Sequence, residues 1–397
     1  MAFTFRKDER GVSPITFPFM RRTIIPVTRK LFTPRIINPE NMPLTGPCFI
    51  FGNHSNYFDP FFINLDMTTE PTAGVMTRDQ FHRTIPRIFM DSIGIVPTSK
   101  YVPEPHVIRD VLRMIDRKRM IVIFPEGGRR WDGRPKTLIE ATLKLFWRMD
   151  IPVHPVQMHG SYLAWPRWAR WPRNSSVEVR WMKPLRPSDY PDFNTFSDAC
   201  RECIDFTEYT PPAGSWPTAA WKPAAGLERL IYRCPETGES ACMHTHDGQR
   251  LASTVSTVEY RVDKYSRLID RYGKKHALTD LYDHIRKLEM VTGRDGYLLE
   301  ETGCDFFTID DNHNLISLDS GSARLSPTAF EYSYGSEKGS VPLEQIHYIS
   351  VERAHRFSIT DSKGKTLQFT LRGSALQWEH YIQRLKKGES VYGNVDC

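Results

Sequence analysis

The stretch that decides the fold is Cys48-Phe-Ile-Phe-Gly-Asn-His-Ser-Asn-Tyr-Phe-Asp59. Its first five residues form a short apolar run, which predicts a buried strand. Pro60 follows Asp59, and a proline at the first helical position is a helix start signal, so residues 61–67 are predicted as helix. His54 and Asp59 therefore lie between the carboxyl end of a strand and a helix, where α/β proteins commonly place their sites.

This pair has both a structural and a catalytic interpretation. Side chains five positions apart do not meet on a regular helix, but a loop residue and a residue at a helix start are free of that limit. In the structural interpretation Asp59 is a helix N-cap and His54 a loop residue. In the catalytic one, the carboxylate holds one tautomer of His54 while the other ring nitrogen removes a proton.

Outward from this stretch, residues 40–185 alternate short apolar strands with amphipathic segments. This rhythm predicts the α/β fold class, a layered domain with a central, mostly parallel sheet. The clearest predicted elements are the strands 48–52, 120–124 and 153–158 and the helices 107–116 and 193–209.

A second polar cluster, Phe124-Pro-Glu-Gly-Gly-Arg129, follows the predicted strand 120–124, and Arg130 comes next. The glycines let the backbone approach a ligand closely, and a guanidinium makes bidentate contact with phosphate. Alone, this is an ordinary loop sequence. Its weight comes from its occurrence together with the His54 segment.

Together these segments resemble blocks of the glycerolipid acyltransferase superfamily, of the lysophosphatidic acid acyltransferase (PlsC) type. Residues 54–59 match the His-x4-Asp block, and residues 124–129 match Phe-Pro-Glu-Gly-Thr-Arg with Gly128 in place of Thr. The resemblance covers roughly residues 15–210, which is one complete domain by size.

The two remaining blocks match with substitutions. Residues 94–100 resemble the second block, with Lys100 where the family usually has Arg, and residues 151–156 resemble the fourth, with His154 at a usually aliphatic position. Lysine keeps the positive charge but loses the planar fork of arginine, so phosphate binding by this position is expected to differ.

The resemblance implies an O-acyltransferase that moves a fatty acyl group from acyl-CoA or acyl carrier protein to a hydroxyl of a lysophospholipid such as 1-acylglycerol-3-phosphate. It implies no cofactor besides the acyl donor and no catalytic metal. His54 is then the general base, Asp59 orients it, and Arg129 binds the acceptor phosphate. Lys100 or Arg130 supports Arg129. The residues expected to contact or position the substrate are Asn53, Glu126, Gly127 and Gly128.

Charge is distributed unevenly along the chain. Residues 1–233 hold 33 Lys+Arg against 23 Asp+Glu, a net charge of +10, and the rest holds 20 against 24, a net charge of −4. The basic part suits an anionic partner, whether phospholipid headgroups, phosphorylated substrates or nucleic acid. With the resemblance, an anionic membrane surface is the expected partner and nucleic acid is not.

Two segments are candidates for membrane contact, which would be peripheral because no run of about 18 uncharged apolar residues exists. Residues 15–32 mix apolar and basic side chains, which fits an interfacial element or an ordinary packing segment. Residues 163–173 interleave three Trp with three Arg. Such a pattern fits base stacking, a bilayer interface or a plain surface loop, and the nearby blocks favour the bilayer.

The cysteines bear on compartment and on metal binding. The seven are an odd number without dense spacing, and residues 1–10 lack an apolar signal run, so an intracellular, cytoplasmic location is expected. Cys200 and Cys203 have a zinc-type spacing but lie within the predicted helix 193–209, where core positions are more common.

The region after residue 210 is predicted to form further parts. The predicted divisions are an acyltransferase domain at 1–209, a Pro/Ala/Gly-rich linker at 210–230, a ribbon-like and helical segment at 231–302, and a β-rich domain with a C-terminal helix at 303–397. By element order the last part resembles a pleckstrin-homology-like or GRAM-like barrel.

The segment 231–302 opens like the zinc-ribbon module that follows the catalytic domain in some bacterial acyltransferases. Cys234 stands at the first ligand position, but Thr237 replaces the second ligand, and Ser253 and Ser256 stand at the later pair. The resemblance therefore implies a ribbon that has lost its metal and is held by its own packing.

Two alternative functions remain open from sequence. One is a non-catalytic lipid-binding or membrane-docking protein, which would not need the His54 and Asp59 pair. The other is acylation of a non-glycerol acceptor. A serine hydrolase is disfavoured because the chain has no Gly-x-Ser-x-Gly elbow, and no Walker-type phosphate loop occurs.

Overall fold

The structure, a computed structural model, describes residues 6–77, 81, 84–98, 105–210, 212, 217–309, 315–352 and 355–392. The chain divides into two compact units. The first comprises Met1–Arg167 and Trp171–Trp221, and the second Trp168–Arg170 and Lys222–Cys397. The division after residue 221 falls within the predicted linker 210–230, while the predicted segments 231–302 and 303–397 share one unit.

The first unit contains a seven-stranded sheet and a separate strand pair. Its strands are β1 (Arg35–Ile37), β2 (Cys48–Gly52), β3 (Ala73–Thr77), β4 (Ile95–Thr98), β5 (Met120–Val122), β6 (Val153–His159), β7 (Arg173–Ser175), β8 (Glu178–Trp181) and β9 (Pro217–Ala220). The sheet order is β1-β8-β6-β2-β5-β3-β4, and β7 pairs with β9. Neighbouring strands of this sheet pair in parallel, except that β6 and β8 are antiparallel to each other. The predicted α/β class and mostly parallel sheet are therefore confirmed.

Helices cover this sheet and connect its strands. They are α1 (Thr16–Arg22), α2 (Ile24–Phe32), α3 (Asp59–Ile63), α4 (Thr84–Ile93), α5 (Pro105–Asp116), α6 (Glu140–Met149), α7 (Ser161–Ala164) and α8 (Phe193–Ile204). Two predicted ends were wrong: the helix after Pro60 stops at Ile63, and α8 stops five residues before Tyr209. None of the described helices is long and apolar enough to cross a membrane.

Strand β2 lies at the centre of the sheet and is buried on both faces. Its alternate residues enter two different core clusters: Cys48 and Ile50 pack on one face, Phe49 and Phe51 on the other. At its carboxyl end, Gly52 lies against β6 so closely that an added Cβ would sit 2.5 Å from the carbonyl oxygen of Val156. This close pairing brings the loops after β2 and β6 next to each other.

The second unit begins with a small antiparallel meander and a helix. Its strands are β10 (Met243–His244), β11 (Arg250–Ser253), β12 (Glu259–Val262), β13 (Leu268–Asp270) and β14 (Lys275–His276), followed by α9 (Leu278–Lys287) and β15 (Met290–Val291).

A second seven-stranded sheet, antiparallel throughout, follows in the second unit. Its strands are β16 (Leu299–Ile309), β17 (Leu315–Leu325), β18 (Ala329–Tyr334), β19 (Glu337–Pro342), β20 (Ile346–Glu352), β21 (Arg356–Asp361) and β22 (Thr366–Thr370), with α10 (Ala375–Lys386) and β23 (Val391–Tyr392) after them. The order is β19-β18-β17-β16-β22-β21-β20. Trp378 of α10 packs on Phe330, Phe357 and Phe369. The predicted β-rich region with a C-terminal helix is confirmed, and its likeness to pleckstrin-homology or GRAM barrels stays a prediction.

Candidate active site

His54 and Asp59 meet directly in the loop between β2 and α3. Nδ1 of His54 lies 2.9 Å from Oδ2 of Asp59. The same oxygen accepts the backbone N–H groups of Ser55 at 2.7 Å and Asn56 at 2.8 Å, and the other carboxylate oxygen accepts the hydroxyl of Ser161. Four donors thus fix the orientation of a fully buried carboxylate.

The N-cap interpretation of Asp59 is wrong. A capping side chain accepts backbone N–H groups of the helix that follows it, whereas the Asp59 carboxylate binds N–H groups of the preceding loop. Helix α3 has no side-chain cap at its start. The carboxylate therefore shapes the loop around His54.

His54 is partly accessible and packs against an aromatic ring. Its side chain is 20% exposed, and its ring stacks on Phe124 with centroids 4.2 Å apart. Burial lowers the pKa of His54, Asp59 opposes this shift, and the charges of Arg129 and Lys136 lower the pKa further. The imidazole is therefore neutral near pH 7. Because an ionised carboxylate only accepts, Nδ1 carries the proton and Nε2 is left as the proton acceptor.

Glu126 and Arg130 form a buried ion pair behind His54. Arg130 Nη2 lies 2.6 Å and Nε 2.9 Å from Oε1 of Glu126, and both side chains are inaccessible to solvent. Burial raises the pKa of Glu126 and the pairing with Arg130 opposes that rise. The backbone N–H of Arg130 also donates to the carbonyl oxygen of His54 at 2.7 Å. The pair thus joins the two sequence blocks.

Arg130 was expected to support phosphate binding, and its position argues against this. Besides Glu126, its guanidinium donates to the carbonyl oxygens of Phe206 at 2.8 Å and Ile204 at 2.9 Å. All three nitrogens are bonded inside the protein and the side chain is fully buried, so the guanidinium is not accessible to a substrate.

Arg129 faces the other way. Its guanidinium carbon lies 3.4 Å from the ring centre of Tyr57, which is 36% exposed. Stacking on the aromatic face holds the plane of the guanidinium against the ring. The charge of Arg129 lowers the pKa of His54. Lys100, its predicted helper, lies outside the described residues.

The other predicted substrate contacts divide into two kinds. Gly127 adopts φ +65°, which favours glycine, and its N–H donates to Phe124 at 3.2 Å, so it forms the turn after β5. Gly128 is partly accessible, and its carbonyl oxygen accepts from Lys136 at 3.3 Å. Asn53 is fully buried, bonds both backbone groups of Met158, and is thus placed to hold the loop instead of a substrate.

The sequence blocks missed three residues of this site. Lys136, beyond the second block, contributes a positive charge near His54. Ser161, at the start of α7, binds Asp59. Glu208 lies after α8 and binds both Asn53 and Ser55 at 2.7 Å. Each is distant in sequence from the residue it contacts, so no local pattern points to it.

Comparisons with known proteins show what the chain is similar to. The acyltransferase family matches residues 33–159. This match lies within the first unit, whose residues 33–159 are thus similar to the glycerolipid acyltransferase superfamily. The 1-acyl-sn-glycerol-3-phosphate acyltransferase of Limnanthes alba is 23% identical over 141 residues, which are 35% of this chain and 50% of that protein. That of Cocos nucifera is 26% identical over 84 residues, which are 21% of this chain and 27% of that protein.

The chain thus spans half or less of the length of these curated relatives. Among solved structures, the 1-acyl-sn-glycerophosphate acyltransferase PlsC from Thermotoga maritima aligns with 47% of this chain and 82% of its own, at 17% identity and a TM-score of 0.38.

The first unit brings the predicted blocks to one edge of its seven-stranded sheet. His54 follows β2, the Glu126 to Arg129 loop follows β5, and Ser161 follows β6, which are three neighbouring strands. Because these strands are parallel, their carboxyl ends lie at the same edge. In the fourth block, His154 points elsewhere: its Nδ1 lies 2.9 Å from the carbonyl oxygen of Asn41, and burial lowers its pKa.

Proposed function

We propose that the acyltransferase domain moves a fatty acyl group from a thioester, either acyl-CoA or acyl carrier protein, to a hydroxyl of a lysophospholipid such as 1-acylglycerol-3-phosphate. The observation that carries this proposal is the pairing of a neutral, partly accessible His54 with a buried Asp59. An accessible base held in one tautomer is what direct transfer to a hydroxyl requires.

In the proposed reaction, Nε2 of His54 takes the proton of the acceptor hydroxyl. The hydroxyl oxygen of the acceptor attacks the thioester carbonyl carbon at the same time. The tetrahedral intermediate collapses as the carbon–sulfur bond breaks, and the proton passes from His54 to the departing thiolate. The products are the acylated lipid and the free thiol, without an acyl-enzyme. Asp59 stabilises the transient imidazolium through Nδ1.

The acceptor phosphate is assigned to Arg129, with Lys136 as the second cation. Both charges lower the pKa of His54, which supports their assignment to the same site. An arginine stacked on Tyr57 is pre-oriented for bidentate contact with a phosphate. The proposed role of Lys100 as a further phosphate ligand is independent of this pair.

We further propose peripheral attachment to the cytoplasmic side of a membrane through α1 and α2. Ile15, Phe19 and Val27 are 64%, 54% and 56% exposed. They neighbour four exposed basic side chains: Arg21, Arg22, Arg29 and Lys30. Exposed apolar groups flanked by cations suit a surface of anionic lipid. In the Trp-rich segment, Trp171 is 40% exposed and packs against Trp221 with the two rings tilted, whereas Arg173 is buried.

The test is an acyl-transfer assay with labelled acyl-CoA or acyl carrier protein and a panel of lysolipids with and without a phosphate monoester. His54→Ala should reduce transfer at least about 100-fold. The matched control, His347→Ala, changes an exposed histidine of β20 and should transfer like wild type.

Equal transfer by wild type and His54→Ala would refute the assignment of the base. If wild type bound anionic liposomes without acylating any lipid in the panel, the non-catalytic docking function would replace this proposal. Transfer only to an amino-lipid or sugar would retain the mechanism and change the acceptor.

A further inference from the structure

Glu208 is a fully buried carboxylate that lies outside every sequence block. It follows α8, and both of its oxygens are occupied. Oε1 accepts the amide of Asn53 and the hydroxyl of Ser55, each at 2.7 Å. Oε2 accepts the backbone N–H groups of Gly160 at 3.1 Å and Tyr162 at 3.4 Å.

These four donors come from the two loops that build the candidate active site. Asn53 and Ser55 flank His54 at the end of β2, and Gly160 and Tyr162 flank Ser161, which binds Asp59. Glu208 therefore connects the loop that carries the base with the loop that holds its orienting carboxylate. None of these four hydrogen bonds is to His54 itself.

Burying a carboxylate is costly unless its oxygens are hydrogen-bonded, and both oxygens of Glu208 are. All four partners are donors, so the ionised form satisfies every contact, whereas a proton on either oxygen would oppose a donor. The charged groups that face Glu208 are Arg130, from the loop after β5, and Asp59, from α3.

We propose that Glu208 is a positioning residue whose ionised form locks the His54 loop against the Ser161 loop and so keeps the base and Asp59 in register. This inference rests on the proposed acyl transfer for its activity readouts. Burial raises the pKa of Glu208 to about 7, against the lowering effects of Arg130 and Ser55. Glu208 therefore gains a proton as pH falls through about 7, and it then no longer holds the two loops together. This happens at a higher pH than the protonation of His54, whose pKa is lowered from 6.5.

The first test is Glu208→Gln. The amide has only one acceptor oxygen. Its NH2 group therefore faces donors at every pH, either the two side-chain donors on the His54 loop or the two backbone N–H groups on the Ser161 loop. We expect kcat to fall by about 100-fold with little change in KM, since a small displacement of a base is that costly and Glu208 contacts no substrate. Wild-type kcat should show an acid limb near pH 7, and Glu208→Gln should lack it.

Glu70→Gln is the matched control, because it makes the same change at another buried carboxylate of the first unit. Glu70 pairs with Arg10 at 2.7 Å and Arg119 at 3.2 Å, and Arg119 precedes β5, at the opposite edge of the sheet from His54. It should lower stability while keeping the wild-type pH profile. The same acid limb in wild type and Glu208→Gln, or its loss in Glu70→Gln, would overturn the inference.

Ser55→Ala provides an independent variant if Glu208→Gln does not fold. It removes one donor and keeps the charge, and because the Ser55 hydrogen bond lowers the pKa of Glu208, its loss should move the acid limb to higher pH. An unchanged or lower midpoint would contradict the proposed lock.

A readout without substrate separates this inference from the proposed function. With 15N-histidine protein, the His54 signals, assigned by their loss in His54→Ala, report which ring nitrogen carries the proton. Wild type should hold the Nδ1–H form at pH 8 and lose it below pH 7, and Glu208→Gln should show mixed forms at both values. If this held but no lysolipid were acylated, the proposed function would fail and the lock would stand. Identical spectra for both proteins would refute the lock alone.

Discussion

Asp59 binds His54 with one carboxylate oxygen and Ser161 with the other, so base and orienter are fixed from two different loops. Asp59→Asn keeps an acceptor oxygen for His54 and the two backbone donors, while its NH2 can donate to Ser161. The fold should therefore survive. Loss of the charge leaves the imidazolium unsupported, and kcat should fall by about 100-fold or more with KM nearly constant.

Steady-state kinetics at saturating acyl donor measures this effect. The control is Asp198→Asn, which changes an exposed residue of α8 that pairs with Arg201. Its kcat and KM should equal those of wild type. A normal kcat for Asp59→Asn would show that the carboxylate serves the loop only and has no part in proton transfer.

Arg129→Gln tests the acceptor site. Removing a charged hydrogen-bond donor to a phosphate should raise the KM for 1-acylglycerol-3-phosphate about 10-fold or more and leave transfer to a phosphate-free monoacylglycerol unchanged. Because the charge of Arg129 lowers the pKa of His54, the variant should also titrate His54 at higher pH by NMR. Arg113→Gln, in exposed α5, is the control. An equal loss on both acceptors would place Arg129 outside the phosphate site.

The neighbouring Arg130 should behave differently, because it is buried against Glu126. Arg130→Met leaves the carboxylate of Glu126 buried without its partner, which costs about 3–5 kcal/mol of unfolding free energy. Combining it with Glu126→Gln should restore part of the loss. Urea unfolding of the two variants decides this. A stable Arg130→Met protein with a raised acceptor KM would instead restore the phosphate role expected from sequence.

The contrast between these two arginines shows what the sequence reveals and what it does not. The alternating residues of β2, the order of the blocks and the pairing of His54 with Asp59 follow from local patterns. Which of two adjacent arginines turns inward depends on the loop after β5. Glu208 escaped prediction because its partner Asn53 is 155 positions away and because α8 was expected to run through residue 209.

His380 predicts how the second unit responds to acid. Its ring lies 2.9 Å from the hydroxyl of Tyr232 and 3.1 Å from that of Tyr282. Burial, with Arg286 and Arg384, lowers its pKa from 6.5 to about 3. The unfolded chain therefore binds this proton at a higher pH than the folded one. The contribution to stability is complete above pH 6.5 and declines progressively as pH falls toward 3.

His380→Phe should cost about 1–3 kcal/mol at pH 7.5, because two buried hydroxyls lose their partner, yet its stability should fall less steeply between pH 6.5 and 5. Hydrogen exchange of α10 peptides across this pH range measures both effects. His347→Phe, at an exposed position of β20, should keep the wild-type slope. If the stability of His380→Phe fell with pH as steeply as that of wild type, groups other than His380 would cause the response to acid.

The ribbon-like segment supports a last prediction about a lost metal site. Sγ of Cys234 lies 3.3 Å from Oγ of Ser256. Burial raises the pKa of Cys234, but hydrogen bonds from Ser256, Thr237 and the backbone outweigh it and lower the pKa to about 7. Among the described residues no group of three His, Cys, Asp or Glu side chains is arranged around a metal.

The resemblance to a zinc ribbon predicts that thiolates at positions 237, 253 and 256 would join Cys234 in a tetrahedral zinc site with Zn–S distances of about 2.3 Å. The triple change Thr237→Cys, Ser253→Cys, Ser256→Cys should therefore bind one zinc per chain and give the thiolate-to-metal absorption of a cobalt-substituted site. Adding Cys234→Ser removes the native ligand and should weaken binding sharply. If the triple variant bound no more zinc than wild type, thiolates at these positions would not converge on one ion. The resemblance to a zinc ribbon would then not extend to a metal site.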